Sequence, residues 1–170
     1  MKTATFMMGG IAAGKTTIRD LLVPAEAVRL CADEWKYKHP EFDPKNCSRG
    51  VHLWSMRKLA EQFEEVIAGD DSFVMDGTGI AVDRTLAQIE AAKRAGFEVR
   101  LICVVTSLSV CLKRNRSRDR FVDEGVIREK NRYVQWAFKA VAPHADFVTV
   151  VLNDGEPVVL ENPDLKNLEV

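Results

Sequence analysis

Nine residues near the start of the chain constrain its fold more than any other feature. Gly9-Gly10-Ile11-Ala12-Ala13-Gly14-Lys15-Thr16-Thr17 follows the short apolar run Thr3–Met8 and opens a helix-forming run that Pro24 stops. The spacing Gly-x4-Gly-Lys-Thr is that of a loop that cradles phosphate. Its glycines allow torsions that turn several N–H groups toward one anion, and the helix beginning near Lys15 adds its positive end. Lys15 brings a mobile ammonium to the β- and γ-phosphates, Thr16 a hard oxygen for Mg²⁺, and Thr17 a contact to the α-phosphate. Residues Gly9 to Thr17 are therefore the expected site of a nucleoside triphosphate, ATP or GTP. Such a loop needs a strand before it and a helix after it, which points to a parallel sheet.

The rest of the chain keeps the alternation of short apolar runs and amphipathic stretches. The pattern predicts further strands at Ala27–Cys31, Ser72–Asp76, Phe97–Val105 and Asp146–Leu152. Phe97–Val105 is the most apolar and is placed at the centre of the sheet. Helices are expected at Lys15–Leu22, Leu53–Ala68, Asp83–Ala95, Ser107–Asn115 and Glu124–Val141. Within the second of these, Met56, Leu59, Phe63, Val66 and Ile67 fall on one face. Asp83 is the expected N-cap of the third, and Gly69 and Gly96 follow helix ends. Trp35–Gly50, broken by Pro40, Pro44 and Gly50, reads as an irregular stretch too long for a plain connection, hence as functional surface. The expected fold is a three-layer α/β P-loop kinase fold with a mostly parallel five-stranded sheet. One domain spans residues 1–152, and residues 153–170 form a C-terminal tail with at most a short strand at Val158–Leu160.

Composition removes several function classes. A chain of 170 residues with 46% hydrophobic residues supports one core and is not disordered. Lys+Arg number 24 against 25 Asp+Glu, so coating nucleic acid through bulk charge is excluded, though a local basic patch is not. No apolar run approaches the ~20 residues of a membrane span, and the first residues lack a secretory pattern. Cys31, Cys47, Cys103 and Cys111 have no metal-binding spacing. Cys31 and Cys103 sit in apolar runs and read as buried thiols, which places the protein in reducing cytoplasm.

Three further places carry chemistry. Asp33 lies just past the second strand, at the carboxyl end of the sheet where ligands of open parallel sheets bind. A carboxylate there accepts the proton of an attacking hydroxyl. Trp35 and Lys36, two and three residues on, are candidate acceptor contacts. Asp76 ends an apolar strand in the manner of a carboxylate that holds Mg²⁺ through water or a substrate hydroxyl directly. Lys113–Arg120 holds five cations in eight residues, between the fourth strand and the last long helix. Arginine in that position neutralises charge on a transferred phosphoryl group. Spacing does not single out which of Arg114, Arg116, Arg118 and Arg120 does so. Arg116 and Arg120, which share a face if the helix continues, are taken as catalytic candidates, and Arg118 as an acceptor contact. His39, His52 and His144 have no mutual spacing of a metal site and read as surface or capping residues.

These residues resemble the zeta-toxin branch of P-loop kinases, with related features in chloramphenicol phosphotransferase and bacteriophage polynucleotide kinase. Gly9–Thr17 resembles the nucleotide loop of the group. Residues 32–42, ADEWKYKHPEF, resemble its Asp-x-Phe-Lys-x-x-His-Pro-x-Tyr/Phe segment, whose Asp is the general base and matches Asp33. Residues 75–79, MDGTG, resemble its Glu-Gly-Thr-Gly segment, with Asp76 in place of Glu. That match makes Asp76 and Thr78 acceptor-binding candidates, and the arginine segment matches an arginine lid. The resemblance implies a Mg²⁺-dependent transfer of the ATP γ-phosphate to a hydroxyl of a nucleotide-containing acceptor such as a UDP-sugar. It also brings in an antitoxin-type protein as a candidate partner. Two rival readings stay open. One is a nucleic-acid kinase acting on a 5′-hydroxyl or a hydroxymethylated base of DNA, which the density of arginines favours. The other is a nucleotide-binding regulatory module with no acceptor.

Overall fold

The computed structural model describes residues 1–164. Strands β1 (Thr3–Gly9), β2 (Val28–Cys31), β3 (Phe73–Asp76), β4 (Glu98–Val105), β5 (Phe147–Leu152) and β6 (Val158–Glu161) form one sheet in the order β2-β3-β1-β4-β5-β6. The first five run parallel, and β6 returns antiparallel to β5 through pairs such as Val151↔Val159. The described sheet thus has six strands, where five were expected. Asp154-Gly155 turns the chain back, and the short strand expected at Val158–Leu160 extends the sheet edge as β6. Residues 165–170 of the expected tail lie outside the described part.

Seven helices connect the strands: α1 (Lys15–Leu22), α2 (Ala32–Lys38), α3 (Arg49–Ile67), α4 (Val82–Arg94), α5 (Leu108–Arg116), α6 (Glu124–Asn131) and α7 (Val134–Val141), counted over the described residues. Period-2 alternation sorts the strand side chains onto two faces. Ala4, Phe6, Met8, Phe73, Met75, Val99, Leu101 and Cys103 face a core closed by α3, α4 and α7. Met7, Val74, Ile102 and Val104 face a second core with Ile18 of α1, Cys111 and Leu112 of α5, and Ile127 of α6. Phe73 anchors the first core edge-on to Phe6, Phe63 and Phe97, with centroids 6.1, 5.9 and 5.2 Å away. Each such fully buried ring contributes about 1.5–3 kcal/mol by leaving water.

Four boundaries differ from expectation, each for a local reason. The stretch from Trp35 is not irregular at its start, because α2 continues to Lys38. Helix α3 begins four residues before Leu53, because Ser48 Oγ accepts from Val51 N–H at 3.2 Å and caps it. Helix α4 starts at Val82 with Ala81 as its cap, so Asp83 sits in the first turn. The long helix expected over Glu124–Val141 breaks at Arg132–Tyr133. Its first half serves the α1/α5 face through Ile127, and its second half crosses to the other face with Val134 and Phe138. The end of α4 is closed as a Schellman turn, with Phe97 N–H on Ala92 C=O and Gly96 at φ 84°.

Cys31, Cys103 and Cys111 are free and buried, and Cys47 is half-buried. Burial pushes the Cys103 thiol up to about 12. No helix among the described residues is long and apolar enough to cross a membrane.

Candidate active site

The register of β1 with β4 and β3 brings the loop after β1, the end of β3 and the end of β2 to one edge of the sheet. Gly14 caps α1 with φ 89°, a left-handed conformation that other residues resist. A Cβ at Gly14 would also lie 2.5 Å from Asn153 Nδ2. The loop is braced from behind at one atom. Ala13 C=O accepts from Thr106 Oγ1 at 2.9 Å, Arg114 Nη1 at 3.1 Å and Asn153 Nδ2 at 2.8 Å. Arg114 Nη2 also reaches Asn153 C=O at 2.9 Å. Arg114, one of the four candidate arginines, therefore holds the loop.

Lys15 Nζ lies over the loop and donates to Gly9 C=O at 3.1 Å and Gly10 C=O at 2.7 Å. Burial lowers its pKa; Asp76 pulls it back up, and Arg118 adds to the lowering. Lys15, Asp76 and Arg118 thus share one electrostatic field. Thr16 and Thr17 are exposed at the start of α1.

Asp33 sits in the first turn of α2, at the carboxyl end of β2. Lys36 Nζ donates to its Oδ1 at 2.8 Å, and Arg120 Nη1 pairs with its Oδ2. Burial acts to raise the Asp33 pKa, but Lys36 and then Arg120 outweigh it and hold the carboxyl below its usual value. Lys36 is itself only 6% exposed, so its charge is committed to Asp33. The ion pair with Arg120 joins the arginine segment to the start of α2.

The other expected site residues take different places. Arg116 pairs with Glu124 at 2.8 Å on the surface, with no contact to Asp33 or Lys15. Arg118 is exposed. Trp35 is on a helix, where its Nε1–H donates to Gln62 Oε1 at 2.9 Å and its ring packs edge-on against Trp54. Thr78 C=O accepts from Gly9 N–H at 3.1 Å, which ties the Gly-Thr-Gly segment to the phosphate loop. Asp76 Oδ2 accepts from Arg19 Nη1 at 2.7 Å and Arg29 Nη2 at 3.3 Å, and its side chain is only 8% exposed. This carboxylate, expected at Mg²⁺ or the acceptor, forms ion pairs with two guanidinium groups.

Several residues of the site carried no recognisable signal. Arg19, Arg29, Thr106, Asn131 and Asn153 act through bonds to residues distant in the chain, which no local spacing announces. His52, read as a surface residue, is in the electrostatic reach of Lys36, Lys130, Asp33 and Arg84, and burial followed by those cations lowers its pKa.

Solved structures share this fold. The PezAT toxin–antitoxin system of Streptococcus pneumoniae matches at TM-score 0.77 and 14% identity, covering 93% of this chain and 71% of that one. A putative kinase from Chloroflexus aurantiacus matches at TM-score 0.61 and 20% identity, covering 76% of this chain and 80% of that one. The AvrRxo1-ORF1:-ORF2 structure with ATP matches at TM-score 0.65 and 21% identity, over 94% of this chain and 57% of that one. No curated protein matches by sequence. The identities are low enough that these likenesses establish the fold alone. The family model of the zeta toxins aligns with residues 1–163, nearly the whole chain, and the protein belongs to that family of P-loop kinase-type phosphotransferases.

Proposed function

We propose that the protein moves the γ-phosphate of ATP to a hydroxyl of a nucleotide-containing acceptor such as a UDP-sugar, with Asp33 as general base. The observation that carries this reading is the placement of Asp33. It stands at the carboxyl end of β2, held by a buried lysine on one oxygen and by a lid arginine on the other. A regulatory module that only binds nucleotide has no use for a carboxylate so held.

Residues Gly9 to Thr17 hold the triphosphate, and Lys15 moves from the loop carbonyls to its terminal oxygens. Asp33 takes the hydroxyl proton as the acceptor oxygen bonds to the γ-phosphorus and the β–γ bridging oxygen leaves with ADP. Lys36 keeps its place on Oδ1 and fixes the carboxylate plane. Arg120 leaves Asp33 for the transferring phosphoryl group, where its charge is needed during transfer. Arg118, which already acts on Lys15, supplies a second cation at the cleft mouth. Mg²⁺ fits the donors present in one respect: the exposed Thr16 hydroxyl is a hard oxygen beside the phosphates. Asp76 is engaged by two arginines, so Thr16, phosphate oxygens and water would hold the ion. When bound, the ion neutralises phosphate charge.

The arginine segment supports a compact acceptor over a polymer. Arg114 holds the loop, Arg116 pairs with Glu124 and Arg120 with Asp33. Few of its cations remain for tracking a nucleic-acid backbone.

The test is transfer of label from γ-labelled ATP to UDP-sugars, 5′-hydroxyl oligonucleotides and hydroxymethyluracil DNA. Label is expected on a UDP-sugar, with Asp33→Asn slower by about 10²–10⁴-fold, the usual worth of a general base. Label on an oligonucleotide selects the nucleic-acid reading. Label released only as free phosphate, equally from both proteins, refutes the kinase.

A further inference from the structure

We infer that Asn131 is a positioning residue for the donor nucleotide, and that α6 is a lever joining the arginine lid to the phosphate loop. The inference rests on the reading that ATP sits on Gly9–Thr17. Asn131 is the last residue of α6, 120 positions from Ile11, and its carboxamide pairs with the Ile11 backbone in both directions. Oδ1 accepts from Ile11 N–H at 2.7 Å, and Nδ2 donates to Ile11 C=O at 3.2 Å. The crest of the loop is thereby held as a neighbouring strand would hold it.

The other end of α6 carries a second clamp of the same design. Asn115, fully buried at the end of α5, donates Nδ2–H to Val122 C=O at 2.8 Å and accepts from Val122 N–H at 3.2 Å. Asp123 then caps α6 by accepting from Gly125 N–H at 2.8 Å. Residues 117–121 are thus a loop whose far end is bonded next to the start of a short helix, and that helix is bonded to Ile11. Eight residues at ~1.5 Å each make α6 about 12 Å long. Ile127, fully buried, seats it against α1 and α5. Motion of the lid that tilts α6 displaces Ile11, and a loop closed on phosphate sets the position of α6.

Gly10 supplies an independent trace of the clamp. It is not a fixed position of the Gly-x4-Gly-Lys-Thr spacing, and it is not among the glycines with positive φ. Its backbone therefore accepts alanine. A Cβ there would lie 2.5 Å from Asn131 Nδ2 and 2.6 Å from its Cγ, closer than real contacts. The asparagine explains the glycine: a methyl group at residue 10 evicts Asn131 from Ile11.

The test is a double-mutant cycle on ATP binding, measured by calorimetry on the full chain, with hydrogen exchange of residues 116–122. Gly10→Ala and Asn131→Ala are each expected to weaken ATP by about tenfold, the scale of one or two neutral hydrogen bonds. The double variant is expected to bind no worse than Asn131→Ala alone, because the clash is gone. ATP should protect the amides of 116–122 in the unaltered protein, and this protection should fall at least severalfold in Asn131→Ala, a readout that a merely structural asparagine would not move. Asn131→Asp keeps the bond to Ile11 N–H but sets an oxygen against Ile11 C=O, and it reports the same clamp where alanine lowers stability. Additive losses, unaltered ATP affinity in Asn131→Asp, or lid protection unchanged in Asn131→Ala would overturn the inference alone. Absence of ATP binding by the unaltered protein would overturn the nucleotide reading and the inference with it.

Discussion

Asp76 separates two roles cleanly, because an ion-pair centre and a ligand fail differently when removed. Its side chain is 8% exposed, and that of Arg19 is 9% exposed at 2.7 Å from it. Removing one partner of a buried pair costs about 3–5 kcal/mol, because a desolvated charge is left behind. Arg19 keeps Asp20, and Arg29 keeps Glu34 at 2.8 Å, both at the solvent edge. Such exposed pairs return up to about 1 kcal/mol each. The net expectation for Asp76→Ala is a loss of about 3 kcal/mol. For a domain of this size each kcal/mol moves the melting temperature by about 2–4 °C, so a drop of roughly 6–12 °C follows. Thermal unfolding of the free protein, with no nucleotide or metal added, measures it. Changing Arg19 to Met and Asp76 to Leu together is expected to restore much of the loss, because an apolar pair needs no counter-charge. A melting temperature within about 2 °C of the unaltered protein, with phosphate transfer abolished, would refute the ion-pair role and support Asp76 as a ligand.

Two further outcomes follow from buried charge. Lys15→Met is expected to abolish ATP binding while raising the melting temperature at pH 7 by a few degrees, since burial penalises the ammonium that methionine lacks. The lysine pKa is lowered in the folded state, so that penalty is felt while the group is protonated and fades as the pH climbs toward its usual 10.5; the gain from Lys15→Met should fade with it. Asp33 has the opposite consequence. Its folded pKa is below 3.8, so the stability it contributes is complete above that value and is lost as the pH falls through the lower folded one. Melting curves between about pH 2 and 6 should therefore show a shallower acid loss for Asp33→Asn, and parallel curves would contradict the pairing with Lys36 and Arg120.

The loop motif alone carried much of the fold into view, because Gly14, Lys15 and an apolar run before them admit few other arrangements. Strand alternation then placed β1, β3 and β4, whose side chains divide between two cores. The boundaries that escaped are local ones, Ser48 starting α3 and the break at Arg132–Tyr133, whereas the short strand at Val158–Leu160 is present as β6. The site divides along the same line. Gly9–Thr17 and Asp33 stand out by motif or by position at a strand end. The partners that fix them do not, since Asn131 and Asn153 meet the loop across 120 and 140 residues of chain. The arginine segment shows the limit most clearly. Four similar side chains, legible only as a cluster, divide into a brace, a surface pair, an exposed cation and a partner of Asp33.

The three donors on Ala13 C=O come from residues 106, 114 and 153. During synthesis the glycine-rich loop therefore precedes the groups that shape it, which lie 93, 101 and 140 residues further along the chain. A nascent or proteolysed fragment ending before Asn153 carries the motif without one of the three braces on Ala13 C=O. The braced form of the loop thus depends on residues that follow β4 and β5.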